Sequence, residues 1–256
     1  MIIDKKIGKV EIANRTVDIS QRTTAIVAGT GLLVMFFAAV FANFFVIDGL
    51  IAPGDAERTA NNIMANESLF RFGIVSFLIV LICDVLVAWA LYVFLNPVNK
   101  SLSLLAAWFR LVYTAIFGVA LLNLVIVLRL LSTADLLAKF EPNQLHTEII
   151  LFLNAFNDGW LIGLVFFGLH LFDLGYLVFK SGYIPRVLGV LLIMASFGYL
   201  IDSFAHFLLP NYADYEAIFL LIVAVPGTIS ELSLCLWLLF RGVTIRQKDN
   251  RALASA

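Results

Sequence analysis

Cysteine and histidine are scarce in this chain, with two and three residues among 256. Cys83 and Cys235 each sit inside an apolar run, so no disulfide framework is indicated and small apolar filler accounts for both. Charge is scarcer still: 14% of residues are charged against 62% hydrophobic, with a mean hydropathy of +0.98. Soluble domains run at roughly half apolar and a quarter charged, so this composition excludes a soluble globule and a disordered chain. The same composition excludes a nucleic-acid binder, and a net charge of -1 implies no bulk electrostatic partner. No lysine lies within a long apolar run, which excludes a retinal Schiff base. Phosphate loop, nucleophile elbow, zinc-protease helix and dinucleotide fingerprint are all missing, so no cofactor is expected.

What remains is hydrocarbon-compatible sequence. A spanning helix needs about 20 mostly apolar residues. Six runs qualify: Thr24–Ile47, Phe70–Leu95, Leu102–Leu131, Ile149–Phe179, Val187–Leu209 and Ala217–Phe240. The expected fold class is therefore all-α, a polytopic membrane protein with six transmembrane helices in one antiparallel bundle. Runs three and four reach 30 and 31 residues, so they must tilt or project from the bilayer as a helical hairpin. Pro142 fits the first helical position of the fourth. Ala38–Asn43 has a faint cleavage-site pattern, but the run that contains it is too long for a signal-peptide core and reads as a retained span.

Orientation follows from lysine and arginine. Lys5, Lys6, Lys9, Arg15, Arg22, Lys100, Lys180, Arg186, Arg241, Arg246, Lys248 and Arg251 fall on one side; Arg58, Arg71, Arg129 and Lys139 fall on the other. The excess places both termini in the cytoplasm. The organisation is then an N-terminal arm over 1–23, a membrane domain over 24–240 and a tail over 241–256, in the plasma membrane. Connections two, four and five are short, which makes consecutive spans antiparallel neighbours. The first outer connection is longer. Asp55 fits an N-cap there, and Ala56, Ala60, Ile63 and Met64 could line one face of a short helix on the membrane, an ordinary loop being the alternative. Asn14-Arg15-Thr16 and Asn66-Glu67-Ser68 match a glycosylation triplet too short to carry weight. No internal repeat aligns.

Ionisable side chains inside the bilayer are costly and mark function by default. At ~1.5 Å per residue they fall into two levels. An inner level holds Asp84, Arg110, His170, Asp173 and Glu231, at ~9–16 Å from the cytoplasmic ends. Arg110 cannot discharge itself, so it must pair, and Asp84 and Glu231 are its natural partners by depth. One acid is then left over, to be protonated, bridged by His170 or neutralised by a bound cation. An outer level holds Asp158 and Asp202, with Asn123, Asn154 and Asn157 at similar depth and His206 nearer the surface. Asn154 and Asp158 share a helix face, as do Asp202 and His206. No metal is expected, because His170 and His206 lie ~12 Å apart in depth. The one arrangement left open is a one-histidine, two-carboxylate set of Asp158, Asp202 and His206. The structural alternative for both levels is polar glue between helices. His146 reads as a solvated loop residue, and Arg71 and Arg129 as snorkelling ends.

Small residues mark the faces that meet. Gly227, Thr228, Glu231 and Cys235 form a stripe on span six, Gly198, Asp202 and His206 on span five, and Gly73, Asp84 and Ala88 on span two. Gly159 and Gly163 form a G-x-x-x-G pair on span four. Pro226 should kink span six and free the carbonyl of Ile222.

Four stretches, Pro53–Arg71, Ala90–Thr114, Leu161–Phe204 and Ile229–Val243, resemble a prokaryotic integral membrane family filed as a domain of unknown function, number forty-three eighty-six. Phe166–His170 (FFGLH) and Ser181–Gly189 (SGYIPRVLG) are the most specific runs. Arg110, His170, Pro185, Arg186, Asp202 and Glu231 fall within the matching motifs. The resemblance implies a multi-span helical protein and no activity.

Three readings of function follow. The first is a protein that handles a proton, a cation or a small molecule through the inner level; six spans leave little room for alternating access, so a homo-oligomer goes with it. The second is a non-catalytic accessory or sensor protein, in which every buried charge is paired. The third is an intramembrane lipid-acting hydrolase built on Asp158, Asp202 and His206. The lipid bilayer is the partner common to all three.

Overall fold

The computed structural model describes residues 21–132 and 141–241. Lys5, Lys6, Lys9, Arg15, Lys139, Arg246, Lys248, Arg251 and the Asn14 triplet lie outside them. Among the described residues there is no strand. Helix α1 runs Gln21–Val40 and continues through a π-helical stretch, Phe41–Ile47, into a last turn, Asp48–Leu50. Helix α2 is Ala56–Ala65, α3 Glu67–Leu95, α4 Lys100–Ser132, α5 Pro142–Lys180, α6 Arg186–Leu208 and α7 Glu216–Phe240. Six of them, all but α2, are long and apolar enough to cross a membrane, at the places the apolar runs indicate. Helix α5 starts at Pro142, where the missing N–H costs nothing. His146 therefore sits on a helix and not in a loop, because the periodic pattern extends a further two turns upstream of Ile149.

The six long helices form a ring. Each packs on the next span along the chain (α1 on α3, α3 on α4, α4 on α5, α5 on α6, α6 on α7), and α7 returns to α1. Small residues set the approach distances. A Cβ on Gly73 would come 2.6 Å from Val46 Cγ1, in the π-helical stretch, and one on Gly159 would come 2.8 Å from the Ala120 methyl. The carbonyl that Pro226 cannot bond, on Ile222, turns to α6, where a Cβ on Gly198 would lie 2.6 Å from it. A glycine there lets the orphaned carbonyl sit against a backbone instead of hydrocarbon. Thr228, expected on the buried stripe of α7, is exposed; Ser230 takes the inward position.

Helices α4 and α5 are longer than a bilayer needs. At 33 and 39 residues they extend ~50 and ~58 Å against a ~30 Å hydrocarbon core. Helix α2 packs against both of them. Asp55 caps α2, accepting the Arg58 N–H at 2.9 Å, and Thr59, Ala60 and Ile63 are buried. The apolar face of α2 thus rests on protein rather than on lipid. Met64, expected on that face, is exposed.

A layer of rings fills the middle of the bundle. Phe77, Phe117, Phe156 and Trp160, from α3, α4 and α5, lie with centroids 5.4–6.1 Å apart. Contacts of this kind are favourable beyond the area they bury. The layer separates the two polar levels.

Candidate functional site

Arg110 is the centre of the inner level. It leaves α4 about three turns after Lys100 and crosses the ring. Its Nη2 lies 2.7 Å from Asp84 Oδ1 on α3 and 3.7 Å from Met35 Sδ on α1. Its Nη1 donates to His170 Nε2 on α5 at 3.1 Å, and Cζ stands 5.4 Å from the centre of the Phe167 ring. Arg110, Asp84 and His170 are 1%, 0% and 1% exposed. Of the two partners expected by depth, Asp84 is the one that pairs with Arg110.

The imidazole of His170 is neutral by its bonds. Nδ1 lies 2.8 Å from the Ala106 carbonyl, which only accepts, so Nδ1 carries the hydrogen. Nε2 faces the Arg110 donor and must offer a lone pair. His170 therefore orients Arg110 and does not bridge a leftover acid.

The pair is under-satisfied. A guanidinium can grip both carboxylate oxygens at once, yet Asp84 Oδ2 has no partner, nor does Arg110 Nε. Buried networks left partly unbonded are costly, and they recur where groups must exchange protons or water. A cavity of about 10 Å³, room for about one water, adjoins His170 and is lined by Ala88, Tyr92, Ser103 and Leu177.

Glu231, on α7, is the leftover acid. It is partly buried, forms no ion pair among the described residues, and accepts the Tyr199 hydroxyl at 3.5 Å. Tyr199 meets the Phe167 ring at 5.3 Å, and Arg110 Cζ stands over that same ring, so Glu231 adjoins the ion pair through these two side chains. Asp173 stands apart: it is partly buried, its Oδ2 has no partner, and no ion pair joins it to Arg110. Tyr199, Met35 and Phe167 escape a reading of the sequence because neutral side chains in apolar runs carry no penalty to notice.

The outer level is looser than its depth in the sequence suggests. Asn154, Asn157 and Asp158 are exposed, because Ile149, Leu153 and Phe156 hold the inward face of this stretch of α5. Asn123 donates to the Ala120 carbonyl within its own helix at 3.0 Å. His206 Nε2 lies 3.2 Å from Asp158 Oδ1, joining α6 to α5. Asp202 is buried, but it takes the hydroxyl of Tyr212 at 2.6 Å, in the 3-10 turn Tyr212–Asp214. Tyr212 also meets the His206 ring edge-on at 4.8 Å and stacks on Phe219 at 5.2 Å. Among the described residues no three His, Cys, Asp or Glu side chains converge as metal ligands do. The set Asp158, Asp202 and His206 is therefore split between two partners.

Burial, then the adjoining Asp202 and Glu216 carboxylates, raise the Tyr212 hydroxyl above its ordinary value. A group raised on folding contributes stability below its unfolded value, about 10 for tyrosine, and loses it as pH climbs through the folded one. Alkaline titration should therefore detach the turn: hydrogen exchange over 209–216 rises late in the parent and is already raised near neutrality in Tyr212→Phe. Identical profiles for the two would remove Tyr212 from this role.

Six apolar helices in a closed ring around an arginine–carboxylate pair define an integral membrane protein of the multi-pass α-helical class. The chain belongs to the family described as domain of unknown function DUF4386, whose model matches residues 27–242. It is also 40% identical over 136 residues to an uncharacterized protein of Archaeoglobus fulgidus, covering 53% of this chain and 68% of that protein. No solved structure matches it.

Proposed function

We propose that the protein handles protons through the inner cluster of Asp84, Arg110, His170 and Glu231. The observation that carries this reading is the charge count: one permanent cation and one neutral imidazole face two carboxyl groups, so the cluster holds an exchangeable proton. The cavity at His170 has room for about one water, which favours a proton among the ions and small molecules the sequence admits. The protein sits in the cell membrane with residues 1–23 and 241–256 cytoplasmic; the lysine and arginine distribution supports this.

Proteoliposomes carrying a pH-sensitive dye test the reading. The parent chain should dissipate an imposed pH gradient under a clamped potential, and Glu231→Gln should fall to the rate of empty liposomes. A parent chain no faster than empty liposomes would sink it. The aromatic layer of Phe77, Phe117, Phe156 and Trp160, which caps the cluster on its outer side, favours the second reading of a non-conducting accessory or sensor protein. The hydrolase reading loses support from the division of Asp158, Asp202 and His206.

A further inference from the structure

We infer that Asp84 and Glu231 share one proton across Arg110, and that it rests on Glu231 for as long as Asp84 holds the guanidinium. The inference rests on the proton-handling reading and assigns its acceptor. Arg110 is committed: Nη2 to Asp84, Nη1 to His170. An ionised Glu231 would have only the Tyr199 hydroxyl, at 3.5 Å, to offset its desolvation at this depth.

Among the described residues packed around Glu231 there is no cation besides Arg110. Helix α6 brings Tyr199 to Glu231, α4 brings Arg110 and Tyr113, and α3 brings Asp84. Helix α5 adds the neutral His170, and α1 carries no ionisable side chain between Thr23 and Ile47. Gly227 makes the arrangement fit, since a Cβ there would lie 2.9 Å from the Tyr199 oxygen, one turn from Glu231. A proton delivered to Asp84 would release Arg110's charge toward Glu231, which would then give its own proton up. One proton enters at one carboxyl and one leaves at the other, and the cluster's charge is unchanged.

Infrared difference spectroscopy of the reconstituted protein reads this directly and does not depend on flux. At neutral pH the parent should show a protonated-carboxyl carbonyl band that Glu231→Gln removes. Tyr199→Phe should move that band to higher frequency, because the hydroxyl no longer bonds the carbonyl. Asp84→Asn should abolish it, because Arg110 is then free to hold Glu231 as a carboxylate. A band that survives Glu231→Gln, that persists in Asp84→Asn, or that is missing from the parent overturns the inference. Circular dichroism and monodispersity confirm that each near-isosteric variant folds. The Glu231 band without proton flux would refute the transport reading alone; flux without the Glu231 band would refute this assignment alone.

Discussion

Arg110→Met is expected to cost the folded protein about 3–5 kcal/mol, the range found when one member of a buried ion pair is removed. The loss comes from what stays behind. Asp84 is wholly buried, and its Oδ2 is without a partner even in the parent. Without Arg110 no cation faces it, and it must take up a proton or unfold the core; protonation sets the ceiling on the damage. His170 loses the donor to its Nε2 as well. Asp84→Asn should cost less, because Glu231 stands within Coulombic reach of the stranded guanidinium. The double variant Arg110→Met, Asp84→Leu should recover most of the loss, since apolar replacement of both partners is often neutral. Reversible unfolding in mixed micelles, read by circular dichroism, measures all three. A double variant as unstable as Arg110→Met alone would show that the arginine acts through His170, Met35 and Phe167 and not through Asp84.

That pair was legible from sequence because expense is legible. An arginine and acids at matching depth in apolar runs have few other ways to be satisfied, so depth alone narrowed the partner of Arg110 to Asp84 or Glu231. The six spans were legible for the same reason: apolar runs of this length have no soluble use. The freed carbonyl of Ile222 followed from the chemistry of Pro226. What escaped were features without a local cost. The π-helical stretch Phe41–Ile47 has no composition that separates it from the α-helix before it. Tyr199 and Tyr212 are neutral donors, whose importance lies only in which carboxylate they reach. The outer level is less covered than expected for a geometric reason. Depth along a span does not say which face of the helix turns inward, and on α5 Ile149, Leu153 and Phe156 take that face, so Asn154, Asn157 and Asp158 are exposed where burial is expected.

The contact that holds this geometry in place is also the one most sensitive to a single carbon. Helices α5 and α6 cross at Gly175 and Gly189, and each backbone occupies the space of the other's absent side chain. A Cβ on Gly189 would lie 2.6 Å from the Gly175 carbonyl oxygen and 2.8 Å from the Phe179 nitrogen; a Cβ on Gly175 would lie 2.7 Å from the Gly189 carbonyl oxygen. These neighbours are main chain and cannot rotate away, so Gly189→Ala must separate the helices. Overpacking of this kind costs about 1–3 kcal/mol, and Gly189→Leu should exceed it. Gly118→Ala is the control: its Cβ would meet only Leu81 Cδ1, at an ordinary 3.7 Å, and alanine suits a helix better than glycine. It should leave stability unchanged or raise it. The same variants separate packing from chemistry. Tyr199 and Asp202 both ride on α6, so a displaced crossing draws the Tyr199 hydroxyl from Glu231 while Arg110, Asp84 and His170, on α4, α3 and α5, keep their bonds. Gly189→Ala should therefore move the Glu231 carbonyl band as Tyr199→Phe does, along with its loss of stability. Equal unfolding curves for Gly189→Ala and Gly118→Ala would mean that the crossing yields without strain.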